Sequence, residues 1–343
     1  MLWFDLDNSP HVPLFRPIIK RLADEKMGYF VTAREFAQTE GLLDYWNIPH
    51  SLIGKHGGKN KVKKVLNLVQ RSVQLGYAVK GKNISLAVSH GSRTQVFAAF
   101  MMGIPSVVML DYEFTESRIF NYFSSYLYMP AIIPDNRLKE AGFNLKKVLR
   151  YNGLKEEIYL AGFRPELGFR ENCGLSDDVI LVAIRPPAVL GNYHDTRSER
   201  LFLACLSEFS QLPNTHILIV SRTGEDKKLI PENLLKRANI TFLQGVVDGL
   251  QLIWNSDVFI SGGGTMNRES ALLGVPTYSI FSGRKPYVDE YLAENNRIKF
   301  LEDETSVKNV VPQKRKISQD ISLKHSGLAD EVHETLLALA QKH

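Results

Sequence analysis

The sequence is short of cysteine: Cys173 and Cys205 are the only two among 343 residues. Two cannot build a disulfide framework, nor a zinc cluster, and such usage fits a reducing compartment. A long hydrophobic run is also missing. The most apolar stretch, Val96 to Leu110, is broken by Gly103 and Pro105 and falls short of the roughly 20 residues that cross a bilayer. The opening Leu2-Trp3-Phe4-Asp5-Leu6-Asp7 is acidic where a secretory leader would be basic, so a cytoplasmic protein is expected. Zinc-finger spacing, helix-turn-helix signals and the aromatic platform of RNA-binding domains do not occur, so nucleic acid is not an expected partner. There is no P-loop and no Gly-x-Gly-x-x-Gly. What remains is ordinary globular composition, 44% hydrophobic and 23% charged, with a length that suggests about two domains.

Negative charge is absent from one whole segment. Between Asp44 and Asp111 there is no Asp or Glu, whereas Lys55, Lys59, Lys61, Lys63, Lys64, Arg71, Lys80, Lys82 and Arg93 all fall there. Such a face suits anionic lipid or a phosphate-bearing ligand, or is simply a solvated loop. Val62, Val65, Leu66, Leu68, Val69, Val73 and Leu75 follow at helical spacing beside the lysines. Lys59, Lys61, Lys63 and Lys64 are therefore expected on an acceptor or membrane face, at the rim of a helix lying along an anionic membrane surface.

Short apolar strands alternate with amphipathic helices. Strands are expected at Leu2–Leu6, Tyr29–Thr32, Ile84–Ser89, Ser106–Leu110, Tyr126–Met129, Val179–Ile184, His216–Ser221, Ile240–Leu243, Val258–Ser261 and Thr277–Phe281. Helices are expected at Pro13–Lys26, Phe36–Trp46, Lys61–Lys80, Thr94–Met102, Arg197–Gln211, Pro231–Arg237, Met266–Leu273, Val288–Asn295 and Leu328–Gln341. The alternation implies an α/β fold with parallel sheets covered on both faces. An internal similarity divides it. Ser89-His-Gly-Ser-Arg-Thr ahead of Met102-Gly-Ile-Pro105 parallels Ser261-Gly-Gly-Gly-Thr-Met ahead of Leu273-Gly-Val-Pro276. Each is a strand, a turn, a helix stopped by glycine, and a proline before the next strand. Two similar doubly wound domains facing across a cleft are expected, residues 1–160 and 161–327, with a final helix in 328–343 packing back on the first. A ligand would sit at the carboxyl ends of the strands.

Ile260-Ser-Gly-Gly-Gly-Thr-Met-Asn-Arg-Glu-Ser270 carries the strongest chemical signal. Gly262, Gly263 and Gly264 let an anion approach the backbone where a helix opens, and the free N–H groups and dipole attract phosphate. Thr265 suits an N-cap or a hydroxyl donor to phosphate, and Glu269 lies a turn further on. A turn needed only for tight packing is the alternative. This run resembles the nucleotide-sugar site of GT-B-fold glycosyltransferases and of the non-hydrolysing UDP-N-acetylglucosamine 2-epimerases. The opening Asp5-Leu-Asp-Asn-Ser-Pro-His-Val-Pro-Leu-Phe-Arg-Pro-Ile-Ile-Lys20 resembles more closely an uncharacterised bacterial and archaeal family of that fold. The resemblance implies a GT-B-like pair of Rossmann-like domains, the first for an acceptor and the second for a nucleotide sugar. It gives the diphosphate to the glycine loop and the ribose to Glu269.

The same resemblance makes His11 a base or phosphate contact, since many GT-B transferases carry Gly-His there; a neutral imidazole can take a hydroxyl proton near pH 7. Ser89-His90-Gly91-Ser92 and Asp111-Tyr-Glu113 stand where the epimerases have His-Gly-Asp and Val-Glu-Ala-Gly. Glu113 matches their glutamate, and Ser92 replaces their aspartate. Asp111 could instead cap a helix, and His90 could be a buried imidazole. Arg185 follows the first strand of the second domain and would neutralise the departing diphosphate. Arg222 and Arg284 are expected to join the nucleotide-sugar site, and His90, Ser92, Asp111 and His194 are further cleft candidates. Asp5-x-Asp7 has no third ligand at suitable spacing, so no metal or cofactor is expected and the UDP-sugar is substrate. The leading expectation is a metal-independent glycosyltransferase using a UDP-linked, N-acetylated sugar, with a saccharide or lipid-linked acceptor at the inner membrane face, in polysaccharide or glycolipid synthesis. A 2-epimerase and a non-catalytic nucleotide-sugar-binding subunit are the alternatives.

Overall fold

The computed structural model describes residues 1–36, 38–55, 61–187, 196–221, 224–243, 248–317 and 326–342, excepting the side chains of 61–65 and 224–225. Two compact units are present. One comprises Met1–Gly162, Pro286–Val288 and Lys324–His343, the other Phe163–Lys285 and Asp289–Leu323.

The first unit runs β1 (Leu2–Leu6), α1 (His11–Asp24), β2 (Tyr29–Glu35), α2 (Thr39–Tyr45), β3 (Ser51–Lys55), α3 (Lys61–Val79), β4 (Leu86–His90), α4 (Arg93–Met101), β5 (Ser106–Met109), α5 (Ser117–Phe123), β6 (Tyr126–Pro130), α6 (Asp135–Glu140), β7 (Val148–Tyr151) and α7 (Glu157–Leu160). Its sheet has the order β3-β2-β1-β4-β5-β6-β7, every pair parallel. Central strands such as Leu-Trp-Phe-Asp-Leu are buried throughout, because helices cover both faces of a parallel sheet. Trp3 and Ala87 of the sheet pack with Leu75 and Val79 of α3 and with Ala98 and Ala99 of α4. Ser92 caps α4 by accepting from the Gln95 N–H. The chain winds outward from β1 to β3, then returns to place β4 beside β1. Ligands in such sheets lie beyond the strand ends at this reversal.

The second unit runs α8 (Phe169–Asn172), β8 (Ile180–Arg185), α9 (Thr196–Phe209), β9 (Thr215–Val220), α10 (Glu232–Leu235), β10 (Ile240–Leu243), α11 (Gly249–Asn255), β11 (Val258–Ser261), α12 (Gly264–Leu272), β12 (Thr277–Ser279), α13 (Tyr287–Glu294, whose first two residues count with the first unit), β13 (Lys299–Phe300) and α14 (Glu304–Lys308). The sheet order β10-β9-β8-β11-β12-β13, again parallel, repeats the reversal, now between β8 and β11. Val182, Ile184, Ile217, Ile219 and Ile260 of the sheet meet Leu201, Phe202 and Leu206 of α9. Asp257, fully buried, accepts from the Leu181 and Arg315 backbone N–H groups and pairs with Arg170, tying the start of β11 to flanking segments.

The last helix, α15 (Leu328–Gln341), belongs to the first unit and packs on α1 and α7. His333 Nε2 lies 3.0 Å from Glu25 Oε2, and Arg21 links Glu25 to Asp330. Three strands lie outside the sequence expectation. They are β3, half exposed and turned through Gly54 at φ +77, the edge strand β7, and the two-residue β13. None carries the continuous apolar run that marks a strand covered on both faces.

Candidate functional site

In the first unit, residues following β1 and β4 meet at the reversal. The Asn8 and Ser9 carbonyls accept from the His11 and Val12 N–H groups, so the Asp7-Asn-Ser-Pro turn leads straight into α1, which His11 opens. His11 is buried, and its ring centroid lies 5.1 Å from that of His90, the last residue of β4. Asp7 Oδ1 stands 3.2 Å from His11 Nδ1, and Arg34 lies 3.7 Å from Asp7 Oδ2. Burial alone would raise the Asp7 carboxyl, but His11, Arg34 and Arg71 outweigh it and hold Asp7 well below the usual carboxylate range. A carboxylate beside Nδ1 favours the proton on that nitrogen, which leaves the lone pair on Nε2 of His11.

His90 Nε2 lies 3.1 Å from Asp111 Oδ1 and 3.5 Å from Lys155 Nζ. Lys155 in turn sits 2.6 Å from Asp111 Oδ2 and 3.8 Å from Glu156 Oε1. Burial, then the Lys155 ammonium, pushes the His90 imidazole down to about 4, against the opposing pull of Asp111. His90 is thus neutral at pH 7, and Asp111 is a partner of this cluster rather than a helix cap. Glu113 is fully buried, and its Oε1 accepts from the Tyr287 N–H at 2.8 Å.

One expectation in this unit needs correction. Arg71 is no part of an exposed cationic face: it is buried, its guanidinium forks onto Asp5 at 2.7 and 2.9 Å, and it also donates to Thr94 and the Ile53 carbonyl. Asp5 is equally engaged, accepting from Thr32 at 2.7 Å and from Ser92 at 2.5 Å. Ser92 therefore binds Asp5 and caps α4, a structural task done by its hydroxyl. A cavity of about 430 Å³ beside Gly54, Lys55, Gln70 and Arg71 lies near this network, but holds none of the other expected site residues.

In the second unit, Gly262, Gly263 and Gly264 follow β11 and are half-buried. A Cβ on Gly262 would stand 3.1 Å from Pro187 Cα, so this glycine is demanded by the loop after β8. The Gly263 N–H donates to Ser261 Oγ at 2.9 Å. Gly263 is the N-cap and α12 begins at Gly264, so Thr265 is the second helical residue and not the cap. The N–H groups of Gly264, Thr265 and Met266 have no acceptor within the helix and carry its positive dipole end. Arg185 ends β8 and places Nη1 2.7 Å from the Met266 sulfur, so a guanidinium stands at that first turn. Arg268, which sequence reasoning missed, lies as close: a Cβ on Gly264 would be 3.3 Å from its Nη2, while its Nε donates to Asp289 at 2.5 Å. Glu269 is buried within α12, and Arg284 is exposed beyond β12. Ser282 Oγ and Ser198 Oγ are 2.6 Å apart.

His194, Arg222 and Lys59 lie outside the described residues, as do the side chains of Lys61, Lys63 and Lys64. Lys155, Glu156 and Arg34 were invisible to sequence reasoning. Arg34 and Lys155 are distant in sequence from Asp7 and Asp111, and Lys155-Glu-Glu157 reads as solvated charge. Among the described residues, no group of three His, Cys, Asp or Glu side chains gathers as a metal ion would require, and no helix is long and apolar enough to cross a membrane.

Comparison with known proteins agrees with this architecture. The model of a family described as protein of unknown function, DUF354, matches residues 1–338. An uncharacterised protein of Methanocaldococcus jannaschii is 27% identical over 317 residues, covering 90% of each chain. Among solved structures, the UDP-GlcNAc 2-epimerase of Neisseria meningitidis bound to UDP-GlcNAc superposes with a TM-score of 0.75 at 14% identity, covering 98% of this chain and 99% of that one. The M. jannaschii UDP-GlcNAc 2-epimerase, in complex with UDP-GlcNAc and UDP, gives 0.74 at 14% identity and the same coverage. HepE of Anabaena, in complex with UDP and glucose, gives 0.60 at 13% identity over 99% and 97% of the two chains. At such identities the likeness establishes the GT-B-like fold.

Proposed function

The chain belongs to the DUF354 family, and we propose that it is an enzyme of nucleotide-sugar chemistry, a glycosyltransferase that takes a UDP-linked, N-acetylated hexose. One observation carries the reading: α12 opens directly after β11, with Arg185 against its first turn. Backbone donors, helix dipole and guanidinium converge there, as a diphosphate needs. Structural neighbours that hold UDP or a UDP-sugar support the ligand class.

In this reading Nε2 of His11 takes the proton of an acceptor hydroxyl as that oxygen bonds to C1 of the sugar. The C1–O bond to the diphosphate breaks, and UDP leaves with its charge held by Arg185 and the first turn of α12. The acceptor is a saccharide or a lipid-linked saccharide. Glu269 would take the ribose hydroxyls.

A second reading, epimerisation at C2, is favoured by the buried carboxylate of Glu113 alone. The two separate in deuterated water. Under the transfer reading, UDP-GlcNAc incubated with the protein and no acceptor keeps hydrogen at C2. Deuterium at C2 establishes epimerisation instead. Calorimetry against UDP, GDP, CMP and their sugars tests the ligand class. Arg185→Met should weaken UDP binding at least ten-fold, and His11→Gln should spare binding while abolishing turnover. No binding of any nucleotide overturns both readings.

A further inference from the structure

The exposed face of α3 carries the wrong chemistry for water. Along this 19-residue helix, about 28 Å long at ~1.5 Å per residue, Leu66 is 62% exposed and Tyr77 is 72% exposed, with Val69 and Val73 exposed between them. Positions 66, 69, 73 and 77 recur at intervals of three and four, so they form one stripe. The opposite side supplies Leu75 and Val79 to the core. The helix is therefore apolar inward and, along this stripe beside Gln70 and Gln74, outward as well.

The stripe continues onto neighbouring helices. Gly76 leaves room for Met102, whose sulfur would stand 3.6 Å from a Cβ there, and Met102 is itself exposed. Phe100 on α4 is 51% exposed, and its ring lies 6.1 Å from that of Tyr122 on α5, which is 72% exposed. One apolar surface thus spans three helices, and a continuous exposed patch of this kind marks an interaction site.

Charge selects the partner. α3 begins in the run Lys61-Val-Lys-Lys64 and is followed by Lys80 and Lys82, both exposed, while no acidic residue lies between Asp44 and Asp111. Exposed cations thus stand at the C-terminal end of the apolar stripe, in a segment whose sequence carries no negative charge. A second copy seated on this face would bring these lysines against lysines. A bilayer surface with anionic headgroups answers both features, taking the apolar side chains into its acyl boundary and the lysines at its phosphates. We infer that the α3–α4–α5 face of the first unit docks on anionic membrane. The inference does not rest on the transfer reading, since calorimetry with UDP-sugars and vesicle binding report independently.

The test is flotation with vesicles of equal phosphatidylglycerol and phosphatidylcholine, against phosphatidylcholine alone, at low and high salt. The protein should float with the anionic vesicles, less so in high salt and scarcely with the neutral ones. Leu66→Ser with Tyr77→Ser should weaken flotation at least ten-fold. Each of Lys80→Gln and Lys82→Gln should cost roughly five-fold. Both substituted serines are at exposed positions, and an unchanged melting temperature shows that the fold survives. Absence of flotation, or equal flotation with neutral vesicles, overturns the inference. So does retention on single-stranded RNA without flotation. A dimer that the serine pair converts to monomer, again without flotation, assigns the face to a second copy instead.

Discussion

Removing the Lys155 ammonium should move the titration of His90 by an amount that NMR reads directly. In the native protein the His90 imidazole is pushed from its ordinary 6.5 down to about 4, first by burial and then by Lys155. A displacement of that size corresponds to ~3 kcal/mol in favour of the neutral ring. Asp111, 3.1 Å from His90 Nε2, would draw the proton back, but Lys155 sits 2.6 Å from the same carboxylate and neutralises it. Lys155→Met therefore acts twice: it ends the repulsion and frees Asp111 to stabilise an imidazolium. The titration of His90 should rise by at least ~1 unit. Protein labelled at histidine Cε1, with the signal assigned through His90→Gln, gives the midpoint in both forms. Because the folded value lies below the unfolded one, the unfolded chain binds more protons between pH 6.5 and about 4. Stability is thus whole above this window and declines by up to ~3 kcal/mol as pH falls through it. His90→Gln should flatten that decline. A wild-type midpoint near 6.5, or one that Lys155→Met leaves in place, refutes the account of this cluster.

Arg71→Met strands the fully buried Asp5 carboxylate and should cost ~3–5 kcal/mol in urea denaturation. Arg71→Lys, which keeps charge but loses the fork, should fall between. Gly262→Ala places a methyl 3.1 Å from Pro187 Cα. It should cost ~1–3 kcal/mol of thermal stability and weaken UDP binding in calorimetry by shifting the start of α12. His333→Ala removes the contact with Glu25, and amide exchange along Val332–Leu339 should quicken roughly ten-fold while the β1–β4 core is unchanged.

The bounds of β1, β10, β11 and α15 coincide with those expected from the sequence. β1 and β11 are apolar runs covered on both faces, and α15 has one clean helical stripe. β3 and β7 were not legible, since edge strands need less apolar side chain and their pairing depends on a neighbour far along the chain. Glycine clusters and histidines after strands announce turns and chemistry locally, so His11, His90 and Gly262 to Gly264 could be singled out. Lys155 could not. Its meaning comes from Asp111 and His90, which only the winding of the sheet brings to it. Arg71 shows the converse error. A cation in a basic run reads as solvated, yet the register of α3 against β1 delivers it to Asp5 inside the core.

The contact between His333 and Glu25 joins residues 308 positions apart. A chain emerging from the ribosome makes every strand of the first sheet long before it makes α15. During that interval, the surfaces of α1 and α7 that α15 covers stay open to water, and the second unit is synthesised meanwhile. The half made first is therefore finished last. A premature stop after residue 317 would leave not a shortened tail but an N-terminal half with an uncovered side, available to chaperones and to aggregation.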